Sequence, residues 1–194
     1  MTTPNKITIG RILLVPFFIL QIIYYAHTGN EWYRIGSLLT FALAVLGDAL
    51  DGYLARRYQQ HSELGAILDP LGDKLLLTSG IILLSLENNH HFVRIPIWLA
   101  VTILSRDMIL LLGFAVVYYT IGKIQVRPRI SSKAATVLQM AVVLWTLLQW
   151  PAAALRWLTV AAGLLTAFSG LLYVADGVRR LNAHPASAPA PRQP

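Results

Sequence analysis

The fold is decided by a long apolar stretch, FVRIPIWLAVTILSRDMILLLGFAVVYYTI, which covers residues 92–121. A helix needs about 20 mostly apolar residues to cross the hydrocarbon core of a bilayer, so this stretch is long enough to span a membrane. Three more apolar segments precede it and two follow it, and turn-forming and charged residues separate all six. In chain order the six segments are Ile9–Ala26, Tyr33–Ala55, Ala66–Leu86, Phe92–Ile121, Ala134–Trp150 and Leu155–Val178. The pattern predicts six transmembrane helices.

The composition of the whole chain is that of a membrane protein. Its 194 residues are 56% hydrophobic and only 13% charged, whereas soluble domains carry about 25% charged residues. This composition excludes a water-soluble globule and an intrinsically disordered chain. We therefore predict an all-α polytopic membrane protein in which residues 1–182 form one domain. Residues 183–194, rich in proline and alanine, are predicted to be a disordered tail.

The distribution of lysine and arginine predicts the orientation in the membrane. With six spans, eleven Lys and Arg residues lie on the side that holds both termini and three lie on the other side. Because cytoplasmic loops are rich in Lys and Arg, we expect both termini in the cytoplasm of a bacterial-type inner membrane. We also expect the first apolar segment to be a retained span rather than a cleaved signal peptide.

The net charge and the absence of cysteine narrow the chemistry. A net charge of +7, with basic residues between apolar runs, favours contact with anionic lipid headgroups or phosphate-bearing substrates over contact with nucleic acid. The chain contains no cysteine, so disulfides, thiolate nucleophiles and cysteine-ligated metals are excluded.

Four of the nine acidic residues lie at the predicted cytoplasmic ends of the second and third segments, namely Asp48, Asp51, Asp69 and Asp73. Residues three or four apart share a helix face, so each pair of aspartates forms an acidic stripe. Glycine and alanine residues beside each pair leave room for a ligand. An aspartate within a membrane is unfavourable by several kcal/mol and normally faces a cavity or a partner, so these residues indicate a functional site.

Carboxylates that converge in this way favour a metal site. Four carboxylates repel one another strongly in a low dielectric unless protons or cations neutralise them. Oxygen ligands suit Mg²⁺, Mn²⁺ or Ca²⁺, and a pair of such ions stabilises the attacking and leaving oxygens of a phosphoryl displacement. Arg56, one turn beyond the first stripe, is placed to hold a phosphate. Spacing alone therefore predicts a divalent-metal site in a membrane protein that acts on phosphates.

Two other interpretations of the acidic residues stay open at this point. In the first, they form structural salt bridges with Lys74, Arg56, Arg57 and Arg106. In the second, they carry the coupling ion of a proton- or cation-coupled transporter. The sequence lacks the internal repeat that marks many transporters, which disfavours the second interpretation.

Eight residues of this region resemble the signature of the CDP-alcohol phosphatidyltransferases. They are Asp48, Asp51, Gly52, Ala55, Arg56, Gly65, Asp69 and Asp73. The resemblance implies transfer of the phosphatidyl group of CDP-diacylglycerol to an alcohol, with release of CMP, in a cytoplasmic-side cavity that holds two divalent ions, Mg²⁺ or Mn²⁺. It implies that Asp48, Asp51 and Asp69 are metal ligands. It also implies that Asp73 completes the shell of the second metal and is the general base.

The same resemblance implies where the substrates bind. Gly52, Arg56, Ser62 and Gly65 are the positions expected to receive the cytidine and the diphosphate. The lipid donor is expected to enter sideways, with its acyl chains in the bilayer. Because members of the family are commonly dimers, we also expect a homodimer.

The acceptor alcohol is left open between two compounds. The stretches 4–11, 105–107 and 132–139 resemble the glycerol-acceptor branch, which contains phosphatidylglycerophosphate synthase and the CDP-alcohol type of cardiolipin synthase. Their acceptors are glycerol 3-phosphate and phosphatidylglycerol. The first enzyme typically has a second lysine where this chain has Ala135, although Arg127 and Arg129 lie just upstream and offer a substitute.

Four basic residues are the candidates for acceptor binding, namely Arg106, Lys133, Arg127 and Arg129. An arginine inside an apolar segment that faces a metal cluster is expected to bind an anion, although Arg106 and Asp107 are also able to pair with each other. The remaining three are explained equally by the ordinary excess of positive charge on the cytoplasmic side.

Overall fold

A computed structural model describes residues 3–58, 63–86, 91–121 and 130–182. These residues form six helices and no strand, which confirms the predicted all-α class. The helices are α1 (Thr3–Thr28), α2 (Glu31–Tyr58), α3 (Glu63–Ser85), α4 (Ile97–Ile121), α5 (Ile130–Leu147) and α6 (Ala152–Asn182). Each of the six apolar segments corresponds to one helix. The predicted tail, residues 183–194, lies outside the described residues.

Four of the helices are long and apolar enough to cross a membrane. The qualifying stretches are Gly10–Thr28, Ile97–Val116, Ile130–Leu147 and Ala152–Arg179, and a shorter apolar helix covers Lys74–Ser85. Large apolar side chains such as Met108, Leu111 and Phe114 cover the outside of α4, where a bilayer would solvate them. The protein is therefore a polytopic membrane protein. That α2 and α3, the helices with the acidic residues, also span the membrane stays a prediction.

The α1–α2 connection is held by local turn chemistry. Gly29 adopts a left-handed backbone with φ of 65°, and its N–H donates to the Tyr25 carbonyl at 2.8 Å, which ends α1. Asn30 caps α2, since its Oδ1 accepts from the Trp32 N–H at 3.1 Å. These two residues make the connection short and bring α1 and α2 side by side.

At the start of α4 and at the end of α5, the helix boundary lies several residues inside the apolar segment. The fourth segment begins at Phe92, but α4 begins at Ile97, directly after Pro96. The intervening chain stays apolar because Phe92 and Ile95 are buried and the Ile95 N–H donates to the Leu84 carbonyl at 3.1 Å. An apolar run therefore continues here through chain that is not helical.

The C-terminus of α5 lies earlier than its apolar segment suggests. The helix ends at Leu147 rather than Trp150, because Gln149 adopts φ of 53° and the Trp150 N–H turns back to the Trp145 carbonyl at 3.3 Å. A left-handed residue of this kind stops a helix. The next residue, Pro151, then leads into α6.

Two groups of helices share one core. α1 packs against α2 and α3, while α6 packs against α4 and α5, and α3 contacts α4 and α5. The core contains large buried side chains from several helices, including Phe18, Ile81, Leu99, Val142 and Leu147. Because α3 contacts both groups, it connects the acidic residues on α2 and α3 with the basic residues on α4 and α5.

Candidate active site

The helices bring the two acidic stripes to one end of the bundle. Asp48 and Asp51 lie on α2, and Asp69 and Asp73 lie on α3. Only residues 59–62 separate the two helices, and the five Cα–Cα steps from Tyr58 to Glu63 span at most about 18 Å. The last turns of α2 and the first turns of α3 therefore lie near each other. We call this end of the bundle the motif end.

Only part of the predicted site has described side chains. Gly52 and Arg56 lie on α2 and Gly65 on α3, but their side chains, like those of Asp51, Asp69 and Asp73, fall outside the described residues. Ser62, Arg127 and Arg129 lie outside the described residues altogether. The predicted roles of all these residues stay predictions.

Asp48 forms an ion pair with an arginine of α1. The Nη1 atom of Arg11 lies 2.6 Å from the Oδ1 atom of Asp48. Arg11 is 2% exposed, whereas the Asp48 side chain is 42% exposed. The buried cation thus fixes one carboxylate oxygen, and the carboxylate itself remains accessible from the surface. Such a short charge-assisted bond is among the stronger hydrogen bonds in proteins.

A glycine of α3 makes room for this arginine. A Cβ atom on Gly72 would lie 3.5 Å from the Arg11 Nε atom and 3.4 Å from Ile12 Cγ1. Gly72 lies between Asp69 and Asp73 in the sequence of α3. The Arg11 guanidinium therefore lies between Asp48 on α2 and the backbone of the helix that carries the second acidic stripe.

A second charged cluster joins α3, α4, α5 and α6. Lys74 Nζ lies 3.0 Å from Asp107 Oδ1, and Arg106 Nη1 lies 2.7 Å from the same oxygen. Arg106 Nη2 donates to Ser132 Oγ and lies 3.4 Å from Ser169 Oγ. Two cations share one carboxylate, so the charged groups of the cluster carry one net positive charge.

The Arg106 side chain is enclosed by α6. Gly170 has no Cβ atom, and one placed there would lie 3.1 Å from Arg106 Cγ. The guanidinium lies 5.9 Å from the centroid of the Tyr173 ring, a cation–π distance. The Nε atom is buried without a hydrogen-bond partner among the described residues. Hydroxyls, a ring and a carboxylate from three helices thus hold a charge that is only 11% exposed.

In the described part of the chain, the basic residues expected to pair with the acidic stripes have other partners. Lys74 and Arg106 both pair with Asp107, which belongs to neither stripe. Asp48 pairs with Arg11 instead. Two of the four basic residues proposed as structural partners of the stripes are therefore engaged elsewhere.

The donors at the motif end fit a hard divalent cation by their chemistry. The Asp48 side chain is 42% exposed, and the sequence places Asp51 three residues later on α2 and Asp69 and Asp73 on α3. Oxygen donors of this kind suit Mg²⁺ and Mn²⁺. Among the side chains that the structure describes, no three His, Cys, Asp or Glu residues come together, since only Asp48 of the four belongs to that set.

The described acceptor candidates lie beside the second cluster. Lys133 follows Ser132 on α5 and is exposed. Ala135, the position at which the resemblance leads one to expect a second lysine, is 1% exposed. A lysine there would have to extend out of a buried position. Arg106, through its bond to Ser132, and Lys133, by its place in the sequence, thus both belong to the start of α5.

Two residues with a place at this end were not among the predicted site residues. Arg11 belongs to the stretch 4–11 that resembles the glycerol-acceptor branch and to the positive-inside charges, and Asp107 belongs to the stretch 105–107 and to a possible pair with Arg106, but neither was assigned a role in the site. For the first, the available signal was an arginine at the start of an apolar segment. For the second, the signal was a carboxylate within an apolar span, the same signal that identified the acidic stripes.

The fold is that of a polytopic membrane protein, and a comparison with known families agrees with the resemblance of its acidic motif. The family model described as CDP-alcohol phosphatidyltransferase matches residues 1–168. The chain belongs to this family.

Curated relatives carry a more particular name. The chain is 38% identical over 109 residues to a CDP-diacylglycerol–glycerol-3-phosphate 3-phosphatidyltransferase of Pseudomonas fluorescens, an alignment that covers 56% of this chain and 52% of the relative. It is 34% identical over 107 residues to the protein of the same name from Escherichia coli strain K12, with 55% of each chain covered. The chain thus spans about half the length of the curated relatives it matches.

Proposed function

We propose that the protein transfers the phosphatidyl group of CDP-diacylglycerol to glycerol 3-phosphate and releases CMP. The observation that carries the proposal is the eight-residue motif on the adjacent ends of α2 and α3, within the 168 residues that the family model matches. The choice of glycerol 3-phosphate is supported by the names of the two relatives. Phosphatidylglycerol, the acceptor of the cardiolipin branch, is the main competing acceptor.

In this proposal the four aspartates hold two divalent cations, Mg²⁺ or Mn²⁺. Asp48, Asp51 and Asp69 are metal ligands, and Asp73 is both a ligand and the general base. The metals, when bound, neutralise the diphosphate and stabilise the CMP leaving group. Asp73 accepts the proton of the acceptor hydroxyl as its oxygen attacks phosphorus. The exposure of the Asp48 carboxylate supports this role, because a buried and fully paired aspartate would offer an ion no access.

The donor is proposed to bind along the α2–α3 connection. Gly52 and Gly65 allow the nucleotide to approach the backbone closely, while Arg56 pairs with the diphosphate and Ser62 donates a hydrogen bond. The acyl chains remain in the bilayer. Exposed apolar side chains on the outside of the helices support a donor that enters from the lipid phase.

The acceptor phosphate is proposed to bind near the second cluster. Arg106 and Lys133 supply positive charge, and Arg127 and Arg129 of the α4–α5 connection supply more. The surplus positive charge of the Arg106–Asp107–Lys74 cluster supports an anion in this region. Lys74 of this cluster directly follows Asp73 in the sequence, which supports an acceptor bound there within reach of the proposed base.

The proposal includes an orientation and an assembly. Both termini and the motif end face the cytoplasm of a bacterial inner membrane, as the distribution of Lys and Arg indicates. A homodimer is proposed because members of the family are commonly dimers.

A single lipid-product assay tests the reaction. Purified full-length protein receives CDP-diacylglycerol with Mg²⁺ and either glycerol 3-phosphate or phosphatidylglycerol, and CMP and the lipid product are measured. We expect CMP and phosphatidylglycerophosphate with glycerol 3-phosphate. Cardiolipin in the second reaction alone would move the protein to the other branch. Absence of CMP with every acceptor, together with ion flux in sealed vesicles, would favour the transporter interpretation.

A further inference from the structure

One oxygen of Asp107 binds two cations from different helices. Asp107 Oδ1 accepts from Arg106 Nη1 at 2.7 Å and lies 3.0 Å from Lys74 Nζ. Asp107 and Arg106 lie on α4, within a stretch that qualifies as a membrane span. Lys74 lies on α3, at the start of its apolar part. Asp107 therefore connects the charged groups of α4 with the helix that carries the second acidic stripe.

Arg106 has further partners besides Asp107. For Lys74, the partner that the structure describes is the Asp107 carboxylate. Arg106 also bonds Ser132, approaches Ser169 and lies over the Tyr173 ring. Loss of Asp107 would leave Arg106 in much the same place. The Lys74 ammonium, on a long and flexible side chain, would instead be released.

The Lys74–Asp107 pair joins an exposed ammonium to a largely buried carboxylate. The Lys74 side chain is 52% exposed and the Asp107 side chain is 19% exposed. The carboxylate therefore fixes the position of a positive charge on a flexible side chain.

The position of this charge matters because Lys74 directly follows Asp73. A lysine beside a carboxylate stabilises its charged form and competes with any other cation for it. By sequence, Lys74 is the cation nearest to the α3 stripe. Its engagement by Asp107 draws its positive charge toward α4.

We propose that Asp107 is a positioning residue that holds the Lys74 ammonium toward α4, so that the lysine does not compensate the aspartates in place of divalent cations. The proposal rests on the proposed function only in taking the four aspartates as metal ligands. Asp107 acts through Lys74 and touches neither metal nor substrate. It also explains why a carboxylate that is no metal ligand lies inside an apolar helix.

The test measures Mn²⁺ affinity of the full-length protein by electron paramagnetic resonance, with no substrate present. We expect Asp107→Asn to weaken Mn²⁺ binding about tenfold, the effect of one cation newly placed beside a carboxylate. In the double variant Asp107→Asn/Lys74→Met, the released ammonium is absent, and affinity returns to within about threefold of the wild type. A double variant as weak as Asp107→Asn alone would overturn the proposal, because the loss would not pass through Lys74.

Two further variants separate positioning from folding. Glu31→Gln, which removes a carboxylate paired with an arginine at the other end of the bundle, is expected to leave Mn²⁺ affinity unchanged. Lys74→Met in the wild-type background is also expected to leave it within about twofold, since Asp107 already draws that charge away. A tenfold gain of affinity in Lys74→Met would contradict the proposal, even if Asp107→Asn failed to fold. Because no substrate is present, these results are independent of whether the protein releases CMP.

Discussion

The two ends of the helix bundle use polar residues in opposite ways. At the end where α1 meets α2, which we call the hairpin end, Gln149 Nε2 donates to Tyr25 Oη at 2.7 Å and to the His91 carbonyl at 3.0 Å. Tyr25 and Arg34 both donate to Glu31. These bonds join three interhelical connections into one network. Polar residues at the hairpin end hold the chain together.

At the motif end, charged residues from several helices form ion pairs, Arg11 with Asp48 and Lys74 with Asp107. The sequence places four aspartates on two helices here, and like charges brought together reduce stability unless a cation compensates them. From this comparison we propose that the hairpin end serves stability and the motif end serves binding. Variants at the two ends should therefore change different measured quantities.

The largest effect is expected from neutralising an aspartate of α3. Asp69→Asn or Asp73→Asn should reduce CMP release on the order of 10³-fold or more, because a metal ligand or the base is lost. The melting temperature should change little, since a charge within a repulsive group is removed. CMP release is measured per folded protein, with Gln149→Ala as the hairpin-end control. Normal turnover in either aspartate variant would contradict the proposal that the motif end serves binding and the hairpin end serves stability.

Arg11→Met tests the cation buried between α1, α2 and α3. Loss of the partner of a half-exposed carboxylate should lower the free energy of unfolding by about 2 kcal/mol without divalent cations, less than for a fully buried pair. Added Mg²⁺ should narrow the difference from the wild type, because the ion compensates the carboxylates in place of the arginine. Melting in EDTA and in Mg²⁺ measures both quantities.

The matched control for Arg11 lies at the hairpin end. Arg34 bonds Glu31 at 2.6 Å and the Leu147 carbonyl at 3.0 Å, so Arg34→Met should also lower the melting temperature. That loss should be the same with and without Mg²⁺. An equal Mg²⁺ dependence for the two variants would contradict the assignment of binding to the motif end alone.

Gln149→Ala should have a smaller effect, and on stability only. It removes hydrogen bonds to Tyr25 and to the His91 carbonyl, at about 1 kcal/mol in the free energy of unfolding. CMP release per folded protein should match that of the wild type. A specific loss of turnover would show that the hairpin end contributes to catalysis.

The smallest effect concerns the pH dependence of Glu31. A hydrogen bond from Arg34 lowers the pKa of the Glu31 carboxyl below its ordinary value of 4.5. A lowered pKa means that the stabilising contribution is present above the unfolded value and is lost as the pH falls through the folded value. The melting temperatures of the wild type and Glu31→Gln should therefore differ slightly at pH 7 and converge below pH 4.5. A difference that persists in acid would exclude Arg34 as its cause.

Much of the fold follows from local sequence properties. Six apolar segments predicted six helices because the length and apolar content of a segment indicate a helix. The segments predicted the boundaries less well, since Ile95 is apolar and buried without being helical. Helix α5 ends where Gln149 adopts a left-handed backbone, and a glutamine in the sequence does not predict that conformation. Boundaries of this kind depend on contacts between helices rather than on apolar content.

The acidic stripes could be predicted as a group, but not their neighbours. Spacing within a single helix is enough to predict that Asp48 and Asp51 share a face, and likewise that Asp69 and Asp73 do. Arg11 reaches Asp48 across 37 positions of the chain, so only the arrangement of helices brings them together. The same holds for Lys74 and Asp107, which lie on different helices. Pairing between helices is the part of this site that spacing does not encode.

The central claim is that the adjacent ends of α2 and α3 bind divalent cations. The most direct measurement is anomalous scattering from crystals of the full-length protein grown with Mn²⁺. We predict two manganese peaks among the oxygens of Asp48, Asp51, Asp69 and Asp73, and their disappearance in Asp69→Asn. Side chains that point apart into lipid or other contacts, with no peak at millimolar Mn²⁺, would contradict the account.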